Sequence, residues 1–304
     1  MDDTFPRPRA DGRRVLVIGA TGQVGRELVA ELTRRPGPLD VVAAARSHPD
    51  PARQVQLERP ETIERLVLAL GPNHVILTAA ATNVGWCEEH PDESRAINVL
   101  GAEAAALAAR RVGASFTFIS TDYVFDGISG PYGEEEPTNP INVYGAHKLD
   151  AEEAVMATDS ANLVVRTCQV FGDDPRRTNF VVRVADRLRA AQTVEAAGDL
   201  FGTPTFAPDL AQALAELTLS RASGIWNVAG DTFLSRYELA TMVADAFGYG
   251  RESIVEVAAD RMQDPVNRPR RAGLRNDRLE AAGIRLITRL PKALADLAAR
   301  EHGR

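Results

Sequence analysis

The stretch from Arg14 to Gly25 constrains the fold more than any other part of the chain. Arg14-Val-Leu-Val-Ile-Gly19 is a continuous apolar run that stops at glycine, the pattern of a strand covered on both faces of a parallel sheet. It runs straight into Gly19-Ala-Thr-Gly22-Gln-Val-Gly25, and residues 23–35 then carry a helical pattern that Pro36-Gly37-Pro38 ends. Strand, glycine turn and helix in that order let the backbone approach a pyrophosphate and aim helix N–H groups at it. Three glycines alone are a weak signal. Their place between the first strand and the first helix carries the dinucleotide reading.

The alternation of strand and helix continues. Strands are predicted at 40–45, 74–79, 115–120 and 163–167, and helices at 61–70, 91–111 and 143–157, after a Gly/Pro-rich loop from Asp126 to Pro140. A doubly wound sheet of six parallel strands, the first strand, these four and one more, is the expected architecture. Beyond Gly172 the order is less regular. Helices are predicted at 179–190, 207–219, 235–247 and 291–300, with short strands at 193–195, 225–228 and 254–257. The expected division is a nucleotide-binding Rossmann domain over 1–170 and about 207–230, and a smaller α/β substrate domain over 171–206 and 231–304.

Composition excludes several classes. A net charge of -7 over 304 residues, with a pI near 5.4, argues against a broad nucleic-acid or anionic-membrane footprint. No apolar run reaches the roughly 20 residues that span a bilayer, and Met1 to Gly12 resembles no signal peptide. Cys87 and Cys168 cannot build a disulfide framework and read as buried thiols of a cytoplasmic protein. No metal is expected, and Glu134-Glu135-Glu136 reads as a solvated loop.

Two positions bear on chemistry. The second strand ends in Ala45-Arg46-Ser47, where an NAD-specific site would place a carboxylate. An arginine there can pair with a 2′-phosphate, which favours NADPH, with NADH as the lesser expectation. Tyr144-Gly-Ala-His-Lys148 places a phenol and an ammonium four residues apart, on one face of a helix. A phenol titrates near 10, and a neighbouring cation favours its ionised form, so the pair can pass a proton to a carbonyl oxygen. Ser120-Thr121-Asp122 stands at the C-terminal end of a strand, where sites of open α/β sheets gather, and Thr121 can hydrogen-bond a reacting oxygen. His147 has no evident partner and reads as a surface or packing residue.

With these motifs the chain resembles the extended short-chain dehydrogenase/reductases, and within them the dTDP-4-dehydrorhamnose reductase family. The matching stretches are GATGQVG (19–25), AAATNV (79–84), AINVLGA (96–102), ISTDYVFDG (119–127), NVYGAHK (142–148), RTCQVFG (166–172), FGTPT (201–205) and NRPRRAGL (267–274). The resemblance implies reduction of a 4-keto group on a nucleotide-linked deoxysugar, with Thr121, Tyr144 and Lys148 as the catalytic triad. With Arg46 already read as a cofactor contact, it implies a dinucleotide held by Gly19, Gly22, Gln23, Val24, Gly25, Leu57, Ala79, Ala80, Ala81, Asn98, Tyr144 and Lys148, the last on the nicotinamide ribose. Thr82, Val84, Asn179 and Arg268 would lie towards the sugar nucleotide, and a homodimer is an admissible assembly.

The pattern breaks in places. Gly85 stands where the family often has Asp, Gln169 where it favours Trp, and Gln56-Leu57 where an acidic residue usually follows the adenine side, which shifts the adenine contact to Leu57. Sugar-nucleotide dehydratases share the Tyr/Lys pair but commonly follow the threonine with Asp-Glu; Asp122-Tyr123 here favours direct reduction. A second expectation, of another class, is a non-catalytic dinucleotide-binding regulator resembling the methionine adenosyltransferase β subunit.

Overall fold

The computed structural model describes residues 14–261, 266–284 and 287–302. The chain divides into two compact units: one takes in residues up to 121, 142–165 and 211–226, the other 122–141, 166–210 and 227 onward.

The first unit begins with β1 (Arg14–Ile18), α1 (Gln23–Arg34), β2 (Asp40–Ala44), α2 (Pro60–Leu70) and β3 (His74–Leu77). Short α3 (Val84–Glu89) and α4 (Pro91–Arg95) lead through a π-helical turn, Ala96–Leu100, into α5 (Gly101–Arg111). β4 (Ser115–Thr121), α6 (Val143–Thr158) and β5 (Leu163–Thr167) follow. β1 pairs in parallel with β2 and β3, and β3 with β4. The six-stranded parallel sheet runs β2-β1-β3-β4-β5-β8, its last strand being β8 (Gly224–Asn227). The order reverses between β1 and β3, and a dinucleotide binds such sheets outside the strand ends at that switch point.

The apolar runs of the strands are why the sheet forms. Leu16, Ile18, Val75, Leu77, Phe116 and Phe118 are all buried and pack with Ile63 and Leu66 of α2 and the alanines of α5. Each large side chain so buried contributes about 1.5–3 kcal/mol. The alanine-rich face of α5 lets that helix lie close to the sheet.

In the second unit α7 (Phe180–Arg189), β6 (Val194–Ala197), β7 (Phe201–Gly202), β9 (Leu234–Ser235), α9 (Arg236–Phe247), β10 (Ile254–Val257), α10 (Asp277–Ala281) and α11 (Leu290–His302) surround a core of Phe171, Val182, Phe206, Leu239, Val243 and Leu294. α8 (Ala207–Leu219) runs from this unit into the first. β6 and β10 are parallel, β7 and β9 antiparallel. α9 starts with a capping box: Ser235 accepts from Glu238 N–H while the Glu238 carboxylate accepts from Ser235 N–H.

Several elements depart from the sequence reading. The single helix expected over 91–111 is interrupted, because the 96–100 turn closes i to i+5. α3, β7, β9 and α10 carry no clear periodicity and go unpredicted. Residues 122–141 cluster in the second unit because their backbone bonds run to the 270–275 segment: Arg271 N–H to Gly127 O, Tyr132 N–H to Gly273 O and Arg275 N–H to Tyr132 O. The triple-glutamate loop is not wholly solvated. Glu134 is buried and accepts from Asn227 N–H and Arg278 N–H, Glu136 pairs with Arg275, and only Glu135 is exposed.

Candidate active site

The turn after β1 is tight and depends on its glycines. Gly19 has φ +98, and a Cβ there would stand 2.6 Å from the Ala79 nitrogen, in the segment that follows β3. A Cβ on Gly25 would overlap the Gly19 carbonyl and stand 2.9 Å from Ala20 Cα, so α1 reaches the turn only with glycine at that position. Gly22 caps α1 without a side-chain bond, which leaves the first N–H groups of the helix directed outward. Nε2 of Gln23, in the first turn, is buried without a hydrogen-bond partner. A cradle that only glycine permits and a buried donor in want of an acceptor fit a dinucleotide phosphate at this turn.

Ala79, Ala80 and Ala81 follow β3 at the switch point and are half-buried. Asn98, in the π-helical turn, clamps the Ala81 peptide on both sides: its Oδ1 accepts from Ala81 N–H at 2.9 Å and its Nδ2 donates to Ala81 O at 3.0 Å. The extra residue per turn rotates Asn98 onto that peptide, as π-bulges at ligand sites commonly do. The spacing of the sequence gives no sign of the bulge.

α6 carries the Tyr/Lys pair and is anchored at its start. Asn142 Oδ1 accepts from Gly145 N–H and Glu88 Oε1 from Val143 N–H, each at 2.8 Å. Tyr144 and Lys148 are both buried, and Thr121 ends β4 with 7% of its surface exposed. Lys148 Nζ donates to the carbonyl of Ile119 at 2.6 Å and stands 3.8 Å from the centroid of the Phe118 ring. Burial lowers the Lys148 pKa from its usual 10.5 to about 7, against the opposing pull of Glu152 one turn along. The helix thus brings the Lys148 amine to the C-terminal part of β4, two residues from Thr121.

The remaining residues of the sequence reading are placed less uniformly. Arg46 is exposed, and its Nη2 lies 2.7 Å from both carboxylate oxygens of Glu58. Leu57 has 6% of its surface exposed and belongs to the core, which leaves little of it for an adenine. Thr82 is exposed and Val84 buried at the start of α3. Asn179 caps α7, accepting from Val182 N–H and donating to Gly172 O, so much of its amide is already used.

In the second unit Arg268 Nη1 donates to the Tyr123 hydroxyl at 3.3 Å, and Arg236 stacks on Phe180 at 4.6 Å from the ring centroid. Burial raises the Tyr123 pKa while both arginines pull it down. Two cations thus gather about one phenol, and Arg236 is a member that the sequence motifs do not reveal; its place at the N-terminus of α9 is the only sign. Asp122 helps hold this segment: Oδ2 accepts from the Cys168 thiol at 2.9 Å and from Gly273 N–H at 3.2 Å. Burial, then the Asp122 charge, push the thiol pKa well up, so Cys168 is a hydrogen-bond donor and not a nucleophile. The next residue, Gln169, adopts φ +46 and packs on Gly202.

A parallel sheet with a glycine-rich first turn at its switch point, and a Tyr-x-x-x-Lys helix against its fourth strand, define a Rossmann-type chain of the short-chain dehydrogenase/reductase kind. The chain belongs to the RmlD substrate binding domain family, whose model matches residues 13–302. It is 35% identical over 291 residues to a dTDP-4-dehydrorhamnose reductase of Burkholderia thailandensis, covering 90% of this chain and 94% of that protein. It is 30% identical over 279 residues to methionine adenosyltransferase 2 subunit beta of Bos taurus, covering 90% and 83%. The crystal structure of dTDP-4-dehydrorhamnose reductase from Bacillus anthracis in complex with NADP superposes with a TM-score of 0.87 at 25% identity, covering 95% and 99%. Among the described residues no helix is long and apolar enough to cross a membrane.

Proposed function

We propose that the chain is an NADPH-dependent reductase acting on the 4-keto group of a nucleotide-linked deoxysugar, as a cytoplasmic enzyme. The observation that carries this reading is the seating of Lys148: a buried amine bonded to the Ile119 carbonyl, on the helix that holds Tyr144, two residues upstream of Thr121. A nicotinamide dinucleotide, when bound, supplies the hydride. Tyr144 delivers the proton to the carbonyl oxygen, Thr121 donates a hydrogen bond to that oxygen, and Lys148 stabilises the phenolate left behind and holds the ribose. The glycine turn and the Ala79–Ala81 segment carry the dinucleotide on the first unit. Arg236 and Arg268, on the second, offer two cations to the diphosphate of a sugar nucleotide.

Direct reduction is favoured over dehydration because the Asp122 carboxylate, which an eliminating enzyme would need as an acid, is held by Cys168 and Gly273. Gln169 and Gly85 replace an aromatic platform and a carboxylate of the family pattern, so the sugar differs from 4-dehydrorhamnose in this reading. The test is incubation with NADPH and a panel of nucleotide-linked 4-keto sugars, with products identified by mass and proton coupling. Consumption of NADPH with gain of two hydrogens by one sugar supports the proposal; NADPH binding without reduction of any sugar overturns it.

The likeness to a methionine adenosyltransferase subunit favours a second reading, a dinucleotide-binding regulator. Co-elution with a catalytic synthetase, and a change in its turnover, would establish that role.

A further inference from the structure

His147 stands between the two residues of the Tyr/Lys pair and, contrary to the sequence reading, is not a bystander. Its Nδ1 lies 2.9 Å from the hydroxyl of Ser94, which has no exposed surface. The same hydroxyl accepts from Asn98 Nδ2 at 3.3 Å, and Asn98 in turn clamps the Ala81 peptide. Four residues from four segments of the first unit therefore form one chain of hydrogen bonds: Ala81 after β3, Asn98 in the π-helical turn, Ser94 on α4 and His147 on α6. The Ser94 hydroxyl, with one proton and two lone pairs, takes the Asn98 amide and still bonds Nδ1 in either ring tautomer, while also bonding the Cys87 thiol.

We propose that His147 and Ser94 are positioning residues that tie the catalytic helix to the Ala81–Asn98 clamp, fixing Tyr144 and Lys148 in register with the dinucleotide. The inference rests on the dinucleotide-dependent reading above. Polar contacts that hold α6 to the α3–α4 segment include the cap from Glu88 to Val143, the ion pair of Arg95 with Asp150 at 3.0 Å, and Ser94 to His147. The last of these continues through Asn98 to the Ala81 peptide. The first sets the start of the helix, and the second lies on the exposed surface, where it contributes little. Small displacements of a reacting group are costly, so one well-placed bond at this joint has leverage on rate.

The chain is also sensitive to charge on His147. Protonation makes both ring nitrogens donors, so the Ser94 hydroxyl can then only accept from Nδ1. The charged groups facing the ring are Glu88 of α3, Arg95 of α4 and Asp150 of α6; burial lowers its pKa below the usual 6.5, helped by Arg95 and opposed by the two carboxylates.

The test uses the full chain with His147→Phe, which keeps a ring but no acceptor, Ser94→Ala, and His147→Asn, whose side-chain oxygen can take the place of Nδ1. NADPH affinity is read by fluorescence titration, turnover on the best keto sugar, and folding by the melting temperature. The Phe and Ala variants should each lose about tenfold in kcat and bind NADPH several-fold more weakly, with KM for the sugar little changed. The double variant should lose no more than either single one, and His147→Asn should recover most of both quantities. The parent's kcat should fall as pH drops below the usual histidine range, with a smaller fall in His147→Asn. If His147→Phe does not fold, Ser94→Ala carries the test. NADPH affinity and kcat within twofold of the parent in a folded Ser94→Ala or His147→Phe variant overturn the proposal, as do strictly additive losses. Should no sugar be reduced by the parent, the reductase reading fails while the NADPH titrations still decide the role of His147.

Discussion

Lys148 Nζ donates to the carbonyl of Ile119, and the same burial that makes this bond strong brings the amine's pKa to about 7. A lowered lysine pKa means that the folded protein is mostly neutral at this site above pH 7 and mostly cationic below it. A polyanionic dinucleotide favours the cation, so binding must draw in a proton on the alkaline side. NADPH affinity should therefore weaken as pH rises from about 6 to about 9, by up to tenfold per unit above the free-protein pKa. Lys148→Met should bind more weakly and with a flat profile. Calorimetry in buffers of different ionisation heat measures the proton directly; no uptake at about pH 8 would show that Lys148 does not meet the dinucleotide.

Replacing Tyr144 by Phe keeps the ring and its packing and removes only the hydroxyl. Turnover on the best keto sugar should fall by about 10²–10⁴-fold, with NADPH binding close to the parent's. A stopped assay beside a fluorescence titration gives both numbers. Turnover equal to the parent's would place the proton donor elsewhere.

The parallel sheet was legible because its strands are continuous apolar runs ending at glycine or small residues, and the Tyr/Lys helix because i,i+4 spacing is local. What sequence could not show is non-local. Nothing in Ser94 or His147 announces that 53 positions of separation close to a 2.9 Å bond. The π-helical turn at Ala96–Leu100 is a one-residue excess in an otherwise ordinary helical pattern. Glu134 looks like part of a charged loop until Asn227 and Arg278 present their N–H groups to it from far along the chain. Arg236 reads as a helix-start residue, and only packing brings it to Phe180 and towards Tyr123.

Arg46 is the expected partner of a 2′-phosphate, and in this structure Glu58 holds it. The pair is exposed, so parting it costs about 0–1 kcal/mol, at most roughly fivefold in affinity. Glu58→Gln should raise the preference for NADPH over NADH by that factor, and Arg46→Ala should abolish it. Both effects should shrink as salt is added. Titrations with the two dinucleotides measure the ratio; an unchanged ratio in Arg46→Ala would mean that another residue reads the 2′ position.

Gly25→Ala places a methyl group against backbone alone, the Gly19 carbonyl and Ala20 Cα, with no flexible side chain to yield. The turn must open to admit it. NADPH affinity should drop at least tenfold, with a melting temperature several degrees lower, consistent with about 1–3 kcal/mol of overpacking. Scanning calorimetry with and without NADPH checks both, and a variant that NADPH still stabilises like the parent would separate this turn from the dinucleotide.

His74 makes a prediction about the scaffold alone. It lies in β3 with 4% of its surface exposed, Nδ1 at 2.6 Å from the Ser115 hydroxyl, and burial, aided by Arg221, lowers its pKa from 6.5 to about 4. Between those two values the unfolded chain binds a proton that the folded one refuses, so stability is full above about pH 6.5 and declines as pH falls towards 4. A difference of that size is worth about 3 kcal/mol at the acid end, of which local relaxation will recover part. His74→Gln keeps a side-chain amide beside Ser115 and does not titrate. Urea unfolding at a series of pH values should show a shallower acid decline in this variant than in the parent, whatever its stability at neutral pH. Parallel declines would mean that His74 is not the group whose protonation the folded sheet resists.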